Sequence, residues 1–173
     1  MKKKLICDWE DLTSTQIRIG LNTSLSPVTL AYHLNKTFNW DLKRGRIECV
    51  EEKVKEEDHS VVFKGEEHLF SLYKGTHKEP LMPVFLLQNL SYKSKKKVGL
   101  FEADLFGTDS PQTQIRLSKH PRKPDYFILF QPEDETINNL SVWISHLGQI
   151  KGVISAFEFI PAKAKEEENF ILD

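Results

Sequence analysis

Several things are scarce in this sequence, and each scarcity excludes something. Cysteine occurs only as Cys7 and Cys49 in 173 residues. A disulfide framework in a small secreted protein uses more, so the pair reads as two small side chains in a reducing cytoplasm. The eight glycines never fall within three residues of one another. Phosphate-binding loops need closely spaced glycines so that backbone N–H groups can approach the anion, and neither nucleotide fingerprint is present. No apolar run approaches the roughly 20 residues that span a bilayer; the longest are 83–87 and 126–130. No membrane association is expected. The start, Met1-Lys-Lys-Lys-Leu-Ile-Cys-Asp8, has the basic opening of a signal peptide, but Asp8, Glu10 and Asp11 cut its apolar stretch short, so secretion is not expected.

An excess of charge of either sign is also lacking: 24 Lys and Arg stand against 25 Asp and Glu. The overall basic surplus that marks nucleic-acid or anionic-membrane binding is therefore missing. Charge is instead unevenly placed. Residues 48–58 carry six acids and two lysines, and residues 91–125 carry eight bases and four acids.

Catalytic and metal-binding patterns are missing too. Zinc needs three or four ligands at close paired spacings, whereas the histidines are scattered at 33, 59, 68, 77, 120 and 146. There is no Gly-x-Ser-x-Gly elbow, neither cysteine has a neighbouring histidine, and Glu102 and Asp104 form a carboxylate pair of the kind any charged surface carries. No enzyme activity, no cofactor and no metal is expected.

What is present is a clear order of secondary structure. Ile17, Ile19 and Leu21 alternate along 16–22, which predicts a half-buried strand. Ser26 then offers a capping oxygen and Pro27 the first helical position, and Leu30, Ala31, Leu34 and Phe38 form an apolar stripe behind them. Charge makes 46–54 an edge strand. Residues 60–64 and 68–73 read as a hairpin connected by Gly65-Glu-Glu67, with a turn over 75–80 closing the pair. Residues 82–88 predict a buried strand in which Pro83 takes the first position or an edge.

Residues 89–124 predict long loops, with one helical turn around Leu100, Phe101, Leu105 and Phe106 and a short strand at Ile115 and Leu117. Residues 126–130 predict a central strand. Pro132 and the acids after it start a second helix, whose stripe is Ile137, Leu140, Ile144 and Leu147 and whose end is Gly148; a last strand follows over 153–160.

Two helices of this length cover one face of a sheet. The expected fold is therefore a two-layer α+β sandwich, with a mostly antiparallel sheet of five or six strands, two helices on one face and a ferredoxin-like C-terminal strand-helix-strand unit. One domain over 1–161 is expected, because a chain of about 150 residues buries about two thirds of its unfolded surface. Residues 162–173 are expected to be a mobile tail unless Phe170, Ile171 and Leu172 dock.

Two stretches carry a family resemblance. Thr23-Ser-Leu25 ends the first strand, Leu30-Ala-Tyr-His-Leu-Asn35 lies on the first helix, and Leu42-Lys-Arg44 follows; near the other end, Asp125-Tyr-Phe127 opens the central strand. In these features and their order the chain resembles the IPExxxVDY family of small Bacteroidetes proteins. Of the named positions, residues 118–126 keep Asp125 and Tyr126. The resemblance implies a bacterial, cytoplasmic setting and no catalytic residues. Physically, Tyr32 and Asn35 are placed to hydrogen-bond the neighbouring loop, and Asp125 and Tyr126 to fix the start of the central strand.

The leading functional expectation is a cytoplasmic, non-catalytic module that binds a protein partner through a sheet edge, the open sheet face or the tail residues Phe170, Ile171 and Leu172. A homo-oligomer is compatible with it. The alternative is RNA or single-stranded nucleic acid held by Lys93, Lys95, Lys96, Lys97, Lys119, Arg122 and Lys123, with Tyr92 or Tyr126 near enough to stack.

Overall fold

The computed structural model describes residues 16–44, 58–78, 81–96, 114–130, 140–162 and 164–172. In chain order the elements are β1 (Ile17–Thr23), α1 (Pro27–Phe38), β2 (Lys43–Arg44), β3 (His59–Phe63), β4 (Glu66–Phe70), β5 (Leu72–Lys78), β6 (Leu81–Gln88), β7 (Lys93–Lys96), β8 (Tyr126–Phe130), α2 (Leu140–Gly148), β9 (Val153–Glu158) and α3 (Ala164–Glu167), which runs into a 3₁₀ turn over Glu168–Phe170.

Six strands form one antiparallel sheet in the order β2-β5-β6-β8-β1-β9, and β3-β4-β7 form a smaller one. Because β8 and β9 both run antiparallel to β1, which lies between them, they are parallel to each other and α2 connects them. This is the ferredoxin-like strand-helix-strand unit expected from sequence. The fold class is thus α+β, with α1 and α2 on one face of the larger sheet.

The local signals act as the sequence indicates. Ser26 caps α1, accepting from the Thr29 N–H at 3.3 Å, with Pro27 behind it. Leu30, Ala31 and Leu34 are buried, and Asn39 ends the helix in the left-handed region at φ 54°. Strand β8 is buried throughout because its two faces serve two cores. Ile128 and Phe130 join Ile19, Leu21, Leu34, Val84 and Leu86 beneath the helices. Phe127 and Leu129 join Phe70, Leu72, Leu87, Leu117, Phe159 and Phe170 on the opposite side. A strand covered on both faces has no solvent side to alternate with, which is why 126–130 reads as a continuous apolar run.

The helix-side core ends in an aromatic cluster. Trp40 stacks on Phe38 (centroids 4.8 Å apart) and on Trp143 (5.8 Å), and its Nε1–H donates to His77 Nδ1 at 3.0 Å. Asn35 and Asp125 take the roles read from their residue types and positions in the sequence. Asn35 brackets the backbone of Leu42, and Asp125 accepts from the Thr23 N–H at 3.0 Å. Tyr32 does not: it is exposed on α1, in edge contact with the His33 ring.

The structure corrects several boundaries. The β3–β4 turn is Lys64-Gly65, with φ of 52° and 84°, and Glu66 and Glu67 already belong to β4. Two positive φ values give the type I′ geometry that matches strand twist in a two-residue loop. Gly75 sits inside β5 opposite Val84, where the backbone of Leu42 crosses so closely that a Cβ would lie 2.7 Å from its nitrogen. Pro83 is third in β6 and takes the edge alternative rather than the first position: it pairs only with Thr76, since the β8 ladder starts at Val84, so its missing N–H interrupts no bond to β8. The strand at Ile115 and Leu117 reduces to a single bridge, Leu90 to Arg116. The edge strand at 46–54, the turn around 100–106 and the start of the second helix at 131–139 lie outside the described residues.

Candidate functional site

One groove stands out among the described residues. It encloses about 450 Å³ and runs between β3, with Asp58 before it, and the C-terminal residues Glu168, Asn169, Ile171 and Leu172; Leu72 and Lys74 of β5 form its floor and end. The volume lies in the range of ligand-binding clefts.

Strand β3 is at the edge of its sheet, and the hairpin register determines which of its backbone groups face outward. Residues flanking a two-residue turn exchange both backbone hydrogen bonds, so Phe63 and Glu66 are a bonded pair, as are Val61 with His68 and His59 with Phe70. Ser60 and Val62 therefore direct their N–H and C=O groups away from β4. No strand among the described residues pairs with that side. Val62 is 61% exposed and Phe63 41%, while Val61 packs against the lower core.

The groove walls are fixed by polar contacts from distant parts of the chain. His59 Nε2 lies 2.6 Å from the Asn169 carbonyl, which can only accept, so the proton is on Nε2. Asn169 in turn donates to the Leu117 carbonyl at 3.1 Å. The Asp58 side chain, 4% exposed, accepts from Arg44 at 3.2 Å, from the hydroxyl of Tyr92 and from the Leu72 N–H at 3.4 Å. Arg44 also lies over the Tyr92 ring at 5.4 Å. Burial opposes the Arg44 charge, but the hydrogen bond and charge of Asp58 outweigh it and raise the guanidinium pKa. At Tyr73 burial wins, and the phenol is raised despite Arg44 nearby.

The tail residues are divided by this arrangement. Phe170 is 0% exposed and packs on Phe127 (centroids 4.8 Å) and Phe159 (5.3 Å), with the Arg18 guanidinium 5.6 Å above its ring. Burial lowers the Arg18 pKa, with Glu167 opposing. Phe170 is therefore core and not the exposed anchor expected from sequence, because the sheet face over β8 would be bare without it. Leu172 packs beside it, and Ile171 remains exposed on the groove. The proviso that 170–172 dock is the one the structure meets, and the face expected to be open is filled over β8.

The basic residues are also divided. Lys93, Lys95 and Lys96 lie in β7, in register with Leu69, Glu67 and Glu66, and Lys97 is outside the described residues. Lys119 reaches the tip of the β3–β4 hairpin, its Nζ 6.0 Å from the Phe63 ring centre, where Lys64 lies at 5.6 Å. Arg122 instead lies over Phe157 of β9 at 4.8 Å, with His120 stacked on the same ring, and Lys123 occupies the exposed turn beside it. Tyr126 is buried in β8 and Tyr92 is engaged by Asp58, so neither is a stacking platform. Phe63 is the exposed aromatic that sequence reasoning passed over. Nothing in the sequence marks Asp58, His59 or Asn169 either, because their contacts span 14 to 110 residues.

Among the described residues no group of three or more metal-ligating side chains forms, and no helix is long and apolar enough to cross a membrane. Comparison with protein families, curated proteins and solved structures finds no match to this chain.

Proposed function

We propose that this chain is a cytoplasmic, non-catalytic module that binds an extended segment of a partner protein along β3, adding a strand to the small sheet. The observation that carries this reading is the outward-facing backbone of Ser60 and Val62 beside a groove whose other wall is the C-terminal segment. Main-chain hydrogen bonds supply affinity in such strand addition, and side-chain pockets supply selectivity. An edge strand left this open is ordinarily protected by charge or proline; β3 carries neither.

The test uses proline as a selective block. At Val62 it removes an N–H that the hairpin does not use, so the fold tolerates it while strand addition does not. Full-length chain recovered from its host should retain a protein partner after RNase treatment, keep it with Val62→Thr and lose it with Val62→Pro. A partner indifferent to Val62→Pro overturns the proposal.

One observation favours a second reading, single-stranded nucleic acid: the exposed Phe63 ring with Lys64 and Lys119 above it is the combination that stacks bases and neutralises phosphates. In that case the partner is lost on RNase treatment and the affinity falls steeply with salt.

A further inference from the structure

Residues 40–44 continue the β2–β5 register past its backbone ladder, and side chains hold the continuation. In the ladder Arg44 stands opposite Tyr73 and Lys43 opposite Lys74. One residue further, Leu42 crosses Gly75. Beyond it the Asp41 carboxylate accepts from the Thr76 N–H at 2.6 Å, and the Trp40 Nε1–H donates to His77 Nδ1 at 3.0 Å. Trp40 to Leu42 thus form a strap against β5, and both of these ties run through titratable side chains.

The Trp40–His77 bond decides how the strap responds to pH. An indole N–H only donates, so His77 Nδ1 is the bare nitrogen and the ring proton lies on Nε2. A second proton can enter only at Nδ1, and the imidazolium that results donates at both nitrogens. Two donors then face each other and the bond is lost. Trp40 is 4% exposed, so its N–H finds no solvent acceptor where it stands, and a buried donor without an acceptor is destabilising. We infer that Trp40 and His77 form an acid-sensitive latch: neutral His77 holds the strap closed, and protonation releases it and uncovers the aromatic cluster beneath. The closed strap is the high-pH state and opens as pH falls, because the bond exists only while Nδ1 is bare.

What the strap covers is apolar. Trp40 stacks on Phe38 and Trp143 and meets the Phe130 ring edge-on at 5.7 Å, and His77 stands edge-on to Trp143 at 5.1 Å. Lifting Trp40 exposes these rings. The latch is independent of the β3 reading, since the cluster lies on the helix side of the larger sheet and other residues line the groove.

His77 is half-buried, within reach of a solvent proton. The strap brings Asp41 toward it, committed to the Thr76 N–H, and α2 brings His146, whose ring lies 6.3 Å from Phe38. On β5 itself Lys78 is the next residue and Tyr73 shares the face beyond Gly75, while β6 places the uncharged Met82 opposite. His146 is the other histidine at the cluster, so the experiment separates the two.

The full chain, with isotope-labelled tryptophan and histidine, is followed by NMR and by acrylamide quenching of its emission between about pH 8 and about pH 5. Trp40→Phe identifies the Trp40 indole among the three tryptophans. Its N–H resonance should start downfield, at a hydrogen-bonded position, and move upfield as pH falls, while quenching rises and far-ultraviolet circular dichroism stays constant. His77→Gln, whose amide oxygen accepts without titrating, should abolish both changes, and His146→Gln should leave them.

A response that survives in His77→Gln or vanishes in His146→Gln makes another group the sensor and overturns the inference. So does a Trp40 resonance that never moves, or that moves only together with the circular dichroism. The wild-type chain supplies a check that no folding defect can obscure: its histidine nitrogen shifts should show the His77 proton on Nε2 at the alkaline end and protons on both nitrogens at the acid end. A proton on Nδ1 at the alkaline end means that there is no latch.

Discussion

Asn35 and Leu42 form a closed hydrogen-bonded pair: the side-chain amide accepts from the Leu42 N–H at 2.8 Å and donates to the Leu42 carbonyl at 3.0 Å. A side chain on α1 thereby does for the chain leading into β2 what a neighbouring strand would do. Leu42 is buried, so both backbone groups depend on this amide.

Replacing Asn35 by Ala should therefore cost about 1–3 kcal/mol, because two buried backbone groups lose their partner at once. Asn35→Asp keeps the acceptor and should lose less. Urea unfolding of both variants measures the difference, and equal losses would show that the acceptor half contributes nothing.

The same crossing makes Gly75 intolerant of a side chain. A Cβ there meets backbone atoms of Leu42 at 2.7 and 2.8 Å, which cannot rotate away. Gly75→Ala should destabilise by about 1–3 kcal/mol through overpacking. Gly148, with nothing near its absent Cβ, is the control. Alanine there should be neutral or stabilise by up to about 1 kcal/mol, and thermal unfolding of the pair tests the contrast.

The buried C-terminal phenylalanine should behave as core. Phe170→Ala should cost about 3–5 kcal/mol, whereas Ile171→Ala, at a residue 47% exposed, should change stability little and act on binding instead. If Phe170→Ala unfolds at the wild-type urea midpoint, the docked tail is not part of the folded unit.

Alkaline pH should expose the burial of Tyr126. Its phenol is pushed up to about 12, first by burial and then by the Asp125 and Tyr73 charges. A raised pKa means that the folded state holds the proton longer than the unfolded chain does. The contribution to stability is full below the ordinary tyrosine value of about 10 and is lost as pH rises from there through about 12. Absorbance at the phenolate band should show one tyrosine ionising late, and Tyr126→Phe should remove that step and flatten the alkaline loss of stability.

Much of the fold was legible because its signals are local. The Ser26-Pro27 cap, the α1 stripe, the β1 alternation and the apolar run of β8 each act within a few residues, and each appears where the sequence puts it. The boundaries that shifted are those where distant packing decides. Gly75 reads as a turn former until Leu42 crosses it, and Pro83 reads as either a strand start or an edge position until the β8 ladder, beginning one residue later, selects the edge.

The sequence by itself determined the elements whose signals are local, among them β1, α1, β8 and β9, and that the chemistry of metal clusters and phosphate loops has no motif here, since these follow from residue type and short spacing; it read β7 as loop and α3 as tail, because both form only where distant residues pack on them. Tertiary structure alone decided that Phe170 is core, that Asp58 joins Arg44 and Tyr92, and that β3 is left at an edge beside the C-terminus. Those outcomes depend on contacts between residues far apart in the chain, and no periodicity or local propensity encodes which distant surface a given side chain meets.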